Sequence, residues 1–208
     1  YWSRWFFSFL TFIVAVPSAI KVFNWLSTMY GGKISLKPPL LYAISFIFLF
    51  LIGGFTGLTL GALATNIHTH DTAFVVAHFH YIIFGGMGFA FFAGIHYWFP
   101  KMYGRMYSFR WANIAWGFLF LGFNVLYFPL FIIGLQGMPR RYFDYLPQYQ
   151  TGHVISTIGA FILIIGIFMM ISNLIYARKK GALAGPNPWK GVTLEWKIPS
   201  PPPLENFD

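Results

Sequence analysis

The sequence contains no cysteine and only five acidic residues among its 208. Without cysteine the chain forms no disulfide and offers no thiolate to a metal, so histidine, carboxylate and carbonyl groups are the remaining ligands. Charged residues make up 9% of the sequence and hydrophobic residues 57%, and the mean hydropathy is +0.62. A soluble domain of this length cannot bury so much apolar surface in one core. The composition therefore predicts a membrane protein.

Five hydrophobic stretches reach the length of about 20 residues that a helix needs to cross a bilayer. We predict spans near residues 5–29, 39–63, 72–99, 111–134 and 152–177, all within a transmembrane region 1–177. Residues 178–208 are rich in proline and glycine, and we expect an extended extramembrane tail without a core. The predicted fold class is an all-α membrane protein with about five transmembrane helices.

The net charge of +9 is explained by membrane topology and does not indicate nucleic-acid binding. Ten of the fourteen basic residues lie in connections on one side of the predicted spans: Lys33, Lys37, Lys101, Arg105, Arg110, Arg178, Lys179, Lys180, Lys190 and Lys197. The positive-inside rule assigns this side, with the C-terminus, to the cytoplasm or matrix. We expect a multi-pass protein whose surroundings are the lipid bilayer.

Four of the six histidines lie between His68 and His80, where the third predicted span begins. On a regular helix His78 and His80 point about 200° apart, so they cannot bind one metal ion together. Imidazole is the usual proximal ligand of haem iron, and the pair suits two haems, one on each side of Phe79, with irons about 15 Å apart. The alternative is two neutral histidines hydrogen-bonded to neighbouring helices.

Lys21 lies within the first predicted span, where a charged side chain costs about 2.5 to 3.5 kcal/mol. Ser18 is three residues earlier and shares its helix face, and Pro17 is expected to kink the helix. Together Ser18 and Lys21 predict a hydrated proton path. The alternative is a lysine that extends to the membrane interface.

Polar groups from two parts of the sequence are predicted at the outer side of the membrane. Asp71 either caps the third helix or joins His70 in binding a hard divalent cation such as Mg²⁺. Arg140 and Arg141 are predicted on the same side, although the positive-inside rule disfavours basic residues there. Their position therefore needs a local explanation. Asp144 can pair with one of the two arginines but not with both.

The remaining polar features are interpreted as structural. The second predicted span is dense in glycine, and small residues favour close packing against a helix or a flat macrocycle. We expect His96, beside Tyr97 and Trp98, to lie at the membrane interface. We expect His68 to lie in a solvated loop.

Three motifs, in this order, closely resemble the C-terminal half of subunit I of the haem-copper terminal oxidases, of the cytochrome c and quinol oxidase type: His70-Asp71-Thr72, Val75-Val76-Ala77-His78-Phe79-His80-Tyr81, and Gly137-Met138-Pro139-Arg140-Arg141-Tyr142. The similarity extends from residues 15–23 to the tail at 193–203. It implies that the helices form the C-terminal part of a twelve-helix bundle. The membrane would be a bacterial or archaeal plasma membrane or the mitochondrial inner membrane.

The resemblance implies roles for the residues around the third span. His78 would be the axial ligand of a high-spin haem facing the copper ion CuB, and His80 that of a low-spin haem, with Phe79 between the haems. Lys21 and Ser18 would deliver protons to the oxygen-reducing site. The family commonly has threonine at the position of Ser18. The haem type (A, B or O) is left open.

The resemblance also implies roles at the outer side. Arg140 and Arg141 would bind the haem propionates. His70 and Asp71 would bind a Mg²⁺ or Mn²⁺ ion together with a carboxylate of subunit II. The CuB ligands of the family lie upstream of this segment, so they would come from outside this chain.

The activity implied by the resemblance is that of a respiratory terminal oxidase. Electrons from cytochrome c or quinol would pass from the low-spin to the high-spin haem, and O₂ would be reduced to water with coupled proton translocation. We expect this chain, which begins at Tyr1, to be a fragment, a processed chain or the product of a divided gene. It would act with an N-terminal half of subunit I and with subunits II and III. The alternatives are a di-haem membrane electron carrier and a relative of nitric oxide reductases.

Overall fold

Five helical segments of the protein are long and apolar enough to cross a membrane. In the computed structural model, which describes residues 2–205, these segments are Trp2–Met29, Pro38–Gly61, Ala73–Tyr103, Phe109–Leu135 and Pro147–Lys180. The prediction of a helical membrane protein with about five transmembrane helices is confirmed.

The described residues form eight α-helices, of which only α4 lies outside these segments: α1 (Trp2–Ile13), α2 (Ala15–Met29), α3 (Pro38–Gly61), α4 (Leu63–Thr69), α5 (Ala73–His80), α6 (Phe89–Tyr103), α7 (Phe109–Leu135) and α8 (Gln150–Lys180). A π-helical segment, Tyr81–Gly88, joins α5 to α6, and single 3₁₀ turns occur at Pro147–Tyr149 and Leu194–Trp196. Two short strands, β1 (Arg105–Met106) and β2 (Ala182–Leu183), pair antiparallel. This pairing brings the chain after α8 beside the connection that leads into α7.

The first membrane segment is interrupted at Val14, between α1 and α2. Pro17 has no N–H to donate to the carbonyl of Ile13, and its ring crowds that carbonyl. The interruption therefore lies one turn before the proline. Of the described residues in these two helices only Val22 is buried, so α1 and α2 lie at the periphery of the bundle.

An aromatic layer between α3, α6 and α7 forms the core. Leu49, Phe89 and Phe123 have no exposed surface, and the ring of Phe84 stacks on that of Phe123 with centroids 5.7 Å apart. Lipid tails are as apolar as these side chains, so water exclusion does little to drive helix association in a bilayer. Close van der Waals packing must do so instead.

Glycines let α7 and α8 approach each other closely. A Cβ added to Gly122 would lie 2.8 Å from the Cα of Leu163, and one added to Gly159 would lie 2.6 Å from the carbonyl carbon of Val125. In both cases the obstacle is backbone, which cannot rotate away. The contact between these helices therefore depends on the missing side chains.

The C-terminal tail folds back onto the bundle, which corrects our expectation of an extended segment without a core. Trp196 is 2% exposed, and its indole N–H donates to the hydroxyl of Tyr97 at 2.8 Å. The indole N–H of Trp189 donates to the backbone carbonyl of Tyr97 at 2.7 Å. Trp189 and Trp196 thus dock the tail on the bundle. The proline and glycine content of the tail, from which we expected an extended segment, does not reveal this contact.

Lys101 holds this tail from the end of α6. Its amino group donates to the backbone carbonyls of Pro186, Ile198 and Pro199, at 3.1, 2.8 and 3.2 Å. The ammonium has three donors, and all three are used. Lys101 is only 6% exposed, and its nitrogen also lies 5.1 Å from the centre of the Trp196 ring.

We predict that Gly122→Ala destabilises the protein, by about 1 to 3 kcal/mol, because the new methyl group overlaps the backbone of α8. Gly117→Ala, on the same helix, is the control, since a Cβ there meets no heavy atom of the described residues within 4 Å. Thermal denaturation of the purified assembly should give a lower melting temperature for Gly122→Ala only. Equal melting temperatures of the two variants would contradict this packing.

Candidate functional site

His78 and His80 lie on different sides of the third membrane segment. Nδ1 of His78 lies 3.0 Å from the backbone carbonyl oxygen of Gly53 in α3. The ring of His80 instead stacks on that of Tyr127 in α7, with centroids 4.1 Å apart and planes 19° apart. The rings therefore face different helices, as the two-residue spacing on a regular helix predicts.

Both imidazoles have the tautomer that leaves Nε2 free to bind a metal. A carbonyl oxygen only accepts hydrogen bonds, so Nδ1 of His78 donates to Gly53, and Nδ1 of His80 donates to the carbonyl of Val76 at 2.8 Å. In a neutral imidazole the lone pair is then on Nε2. Metal-binding histidines commonly hold their other nitrogen in such a bond, which fixes the ring and raises its basicity.

A cavity of about 550 Å³ lies beside His78. Its walls come from α1, α2 and α3 and include the small residues Ala15, Ser18, Gly54 and Gly57. A Cβ added to Gly57 would lie 3.0 Å from Cε1 of His78. Glycine at this position therefore makes room for the imidazole ring at the edge of the cavity.

The helix widens directly after His80 into the π-helical segment Tyr81–Gly88. Such wide turns are rare and often occur at functional sites. The hydroxyl of Tyr81 donates to the side-chain carbonyl of Asn124 in α7 at 2.9 Å. This bond ties the start of the wide segment to α7, the helix that also contacts His80.

From the sequence we predict no site residue in the fourth span, and we interpret the glycines of the second span as packing residues. The structure places Gly53, Gly57 and Thr56 against His78, Tyr127 against His80, and Asn124 against Tyr81. An asparagine within an apolar helix was the one available signal in the fourth span. No sequence signal marks Tyr127 or the carbonyl of Gly53, because tyrosine and glycine are both common in membrane helices.

At the other end of α5, Asp71 forms an ion pair with Arg140. The backbone N–H of Arg140 also donates to the backbone carbonyl of Asp71 at 2.9 Å. Asp71 does not cap the helix, so that alternative is wrong. The hydroxyl of Thr72 accepts from the N–H of Phe74 at 3.3 Å and provides the cap.

His70 and Asp71 are adjacent and exposed. Nε2 of His70 lies 3.4 Å from Oδ2 of Asp71. Within residues 2–205 no group of three or more histidine and carboxylate side chains is placed to hold a metal ion. Mg²⁺ takes about six ligands in near-octahedral geometry, so this pair provides part of a site at most.

The second arginine is placed differently from the first. Arg141 is exposed and has a left-handed backbone conformation, with φ of 59°. Asp144, the partner considered from the sequence, accepts from the backbone N–H of Tyr145 at 2.8 Å. The partner of Arg140 is Asp71, which lies too far away in the sequence for spacing to indicate it.

Of the two predicted proton-path residues, one lines the cavity and the other does not. Ser18 lines the cavity beside His78, and its hydroxyl donates to the carbonyl of Val14 at 3.1 Å. Lys21 is exposed and is not among the residues that line the cavity. Phe79 is 37% exposed, and its ring centre is 4.5 Å from that of His80.

Two further histidines differ from expectation. His96, which we expect at the membrane interface, is fully buried inside the bundle, and its ring is enclosed by Tyr42 and Tyr107. His68 is exposed as expected but belongs to helix α4 rather than to a loop. Tyr97 and Trp98, the neighbours on which that expectation rests, do not determine the direction in which the His96 side chain points.

Residues 1–162 match the family model described as Cytochrome C and Quinol oxidase polypeptide I. The chain belongs to this family. Cytochrome c oxidase subunit 1 of Thermostichus vulcanus is 46% identical over 207 residues, which are 100% of this chain and 38% of that protein. Cytochrome c oxidase subunit 1 of Bacillus subtilis is 45% identical over 204 residues, 97% of this chain and 33% of the relative.

A solved structure has a similar fold. It is a chain of a heme-copper terminal oxidase dimer, with a TM-score of 0.73 and 24% identity over 87% of this chain and 37% of that one. The present member of the oxidase polypeptide I family thus spans well under half the length of these relatives. The resemblance inferred from the histidine and arginine motifs is confirmed, and the protein is an integral membrane protein.

We predict that Arg140→Gln loosens the contact between residues 71–73 and 138–140, because Asp71 loses its partner. Arg140 is the more enclosed of the two arginines, with 25% of its side chain exposed, and a partly buried pair is worth more than a surface pair. Amide hydrogen exchange of both segments should be faster in Arg140→Gln. The control Arg110→Gln, which changes an exposed arginine at the start of α7, should exchange like the unmodified protein. Equal protection in the two variants would show that the ion pair does not hold these segments together.

Proposed function

We propose that this chain is part of the catalytic subunit of a respiratory terminal oxidase. The enzyme would move electrons from a low-spin to a high-spin haem and reduce O₂ to water with coupled proton translocation. The observation that supports this most strongly is the His78 and His80 pair, with Nδ1 of each ring bonded to a carbonyl. Two haems and a CuB centre would supply the redox chemistry when bound.

His78 would hold the high-spin haem. Its Nε2 has the free lone pair, and the adjacent cavity of about 550 Å³ has mainly apolar walls. The bond to Gly53 fixes the ring plane and increases the electron density that the imidazole donates. The apolar walls limit access of water to the reacting centre, and a low dielectric strengthens electrostatic interactions there.

His80 would hold the low-spin haem on the other side of α5. The bond to Val76 belongs to the same helix, so the ring orientation depends on α5 alone, while stacking on Tyr127 limits its rotation. Phe79 would lie between the two haems. Its position between the two ligands in sequence supports this role.

Arg140 and Arg141 would bind haem propionates. Nε of Arg140 is buried and has no hydrogen-bond partner within residues 2–205, although the guanidinium also pairs with Asp71. A buried, unpaired N–H of a cation calls for another acceptor, and a carboxylate matches the fork of the guanidinium. Arg140 would thus connect a propionate to Asp71.

Two further sites belong to the proposal. His70 and Asp71 would contribute to a Mg²⁺ or Mn²⁺ site that also needs ligands from outside this chain. Ser18 and Lys21 would carry protons toward the cavity. Ser18 supports this role because it lines the cavity, and Lys21 follows one helical turn later toward the basic end of the bundle.

The complete enzyme would need partners. An N-terminal half of subunit I would supply the CuB ligands, subunits II and III would complete the complex, and cytochrome c or quinol would donate electrons. The basic residues Lys101, Arg105 and Lys180 lie at the end of the bundle where the tail docks, which supports a C-terminus in the cytoplasm or matrix.

Haem content of variants tests this function. In the purified assembly, His78→Ala and His80→Ala should each lose one of the two haems in a pyridine haemochrome assay, and both should lose O₂ uptake. His68→Ala, which changes an exposed histidine of α4, should keep both haems and the activity. Full haem content in both site variants would refute the assignment. An unmodified assembly that binds two haems but consumes no O₂ would favour the electron carrier instead.

We also predict that Gly57→Ala disturbs the high-spin haem, because its methyl group presses on Cε1 of His78. Gly61→Ala is the control on the next turn of α3, where a Cβ meets its nearest atom at an ordinary 3.5 Å. The optical spectrum should change in its high-spin component and O₂ uptake should fall in Gly57→Ala only. A spectrum identical to that of Gly61→Ala would show that Gly57 does not set the position of the ligand.

A further inference from the structure

Three polar aromatic side chains meet at the end of the bundle away from Asp71. We call Tyr42 of α3, His96 of α6 and Tyr107 of the connection before α7 the Tyr–His cluster. Tyr42 and His96 are 0% exposed and Tyr107 is 3% exposed. The ring of Tyr42 stacks on His96 with centroids 4.8 Å apart, and Tyr107 meets His96 edge-on at 5.0 Å.

The hydrogen bonds of this cluster are incomplete. Nδ1 of His96 lies 2.8 Å from the carbonyl oxygen of Phe92 and must donate to it, so Nε2 is an acceptor. Nε2 of His96 and the hydroxyls of Tyr42 and Tyr107 are all buried, and none has a hydrogen-bond partner within residues 2–205. Buried polar groups without partners are rare, and here three of them belong to side chains whose rings are in contact.

We propose that the Tyr–His cluster binds one buried water molecule, which donates to Nε2 of His96 and accepts from the two tyrosine hydroxyls. Buried waters make about three hydrogen bonds to polar groups that otherwise have no partner. One acceptor and two hydroxyls match the capacity of water, with one water hydrogen left over. The three groups are neutral, which favours a neutral ligand over an ion.

The protonation state of Tyr107 agrees with this arrangement. Burial, followed by the neighbouring Tyr42, raises the pKa of Tyr107 above its ordinary value. Its hydroxyl therefore stays protonated at neutral pH and remains a donor.

The water would join three separate parts of the chain. Tyr42 lies near the start of α3, His96 in the middle of α6, and Tyr107 between β1 and α7. The next residue after His96 is Tyr97, which receives the hydrogen bonds of both tail tryptophans. The site would therefore stabilise the end of the bundle on which the tail docks, separately from the haem ligands.

The sign of a stability change tests the proposal in the purified assembly. If water is bound, Tyr42→Phe and Tyr107→Phe each remove one of its partners, and both should lower the melting temperature. Tyr149→Phe calibrates the effect, since its hydroxyl donates directly to the carbonyl of Gln136 at 3.0 Å. The double variant should lose less than the sum of the two single losses, because the water already leaves with its first partner.

The opposite sign would overturn the proposal. If the hydroxyls truly have no partner, replacing tyrosine by phenylalanine removes an unsatisfied polar group, and the melting temperature should stay the same or rise. A high-resolution map of the unmodified assembly tests for the water molecule directly, without a variant whose folding could be changed. It should show density at about 2.7 to 3.2 Å from Nε2 of His96. A map without that density, or with a tyrosine hydroxyl bonded directly to Nε2, would also refute the site.

Discussion

The hydrogen bonds from Nδ1 of His78 and His80 to backbone carbonyls decide which nitrogen of each ring can bind a metal. The two bonds differ in origin. His80 bonds to Val76 within its own helix, whereas His78 bonds to Gly53 on another helix. The orientation of His78 therefore depends on how closely α3 approaches α5, and the proposed ligand geometry depends on helix packing.

That packing depends on glycines, which have no side chain to keep the helices apart. In a bilayer, apolar side chains gain little by leaving lipid for protein, so helices associate where their surfaces fit closely. Gly57 leaves space for the imidazole of His78, and Gly122 and Gly159 bring α7 against α8. The same α7 presents Tyr127 to His80 and Asn124 to Tyr81. Close helix contacts and the candidate site are thus consequences of one pattern of small residues.

Charged residues hold the two ends of the bundle. At one end Arg140 pairs with Asp71, and at the other Lys101 donates to three carbonyls of the tail. Each cation is partly or almost fully enclosed and reaches groups that are distant in the sequence. A charge taken out of water is tolerated only with such partners, so these contacts restrict how the connecting segments can be arranged.

The sequence alone was sufficient for the membrane class, the family and the opposite directions of His78 and His80. Hydropathy depends on composition, and the direction of a side chain on a helix depends only on its position in a regular repeat. The partner of Arg140, the burial of His96 and the docking of Trp196 were decided only by the tertiary structure. Each of these depends on groups brought together from distant parts of the chain, and neither spacing nor hydropathy describes such contacts.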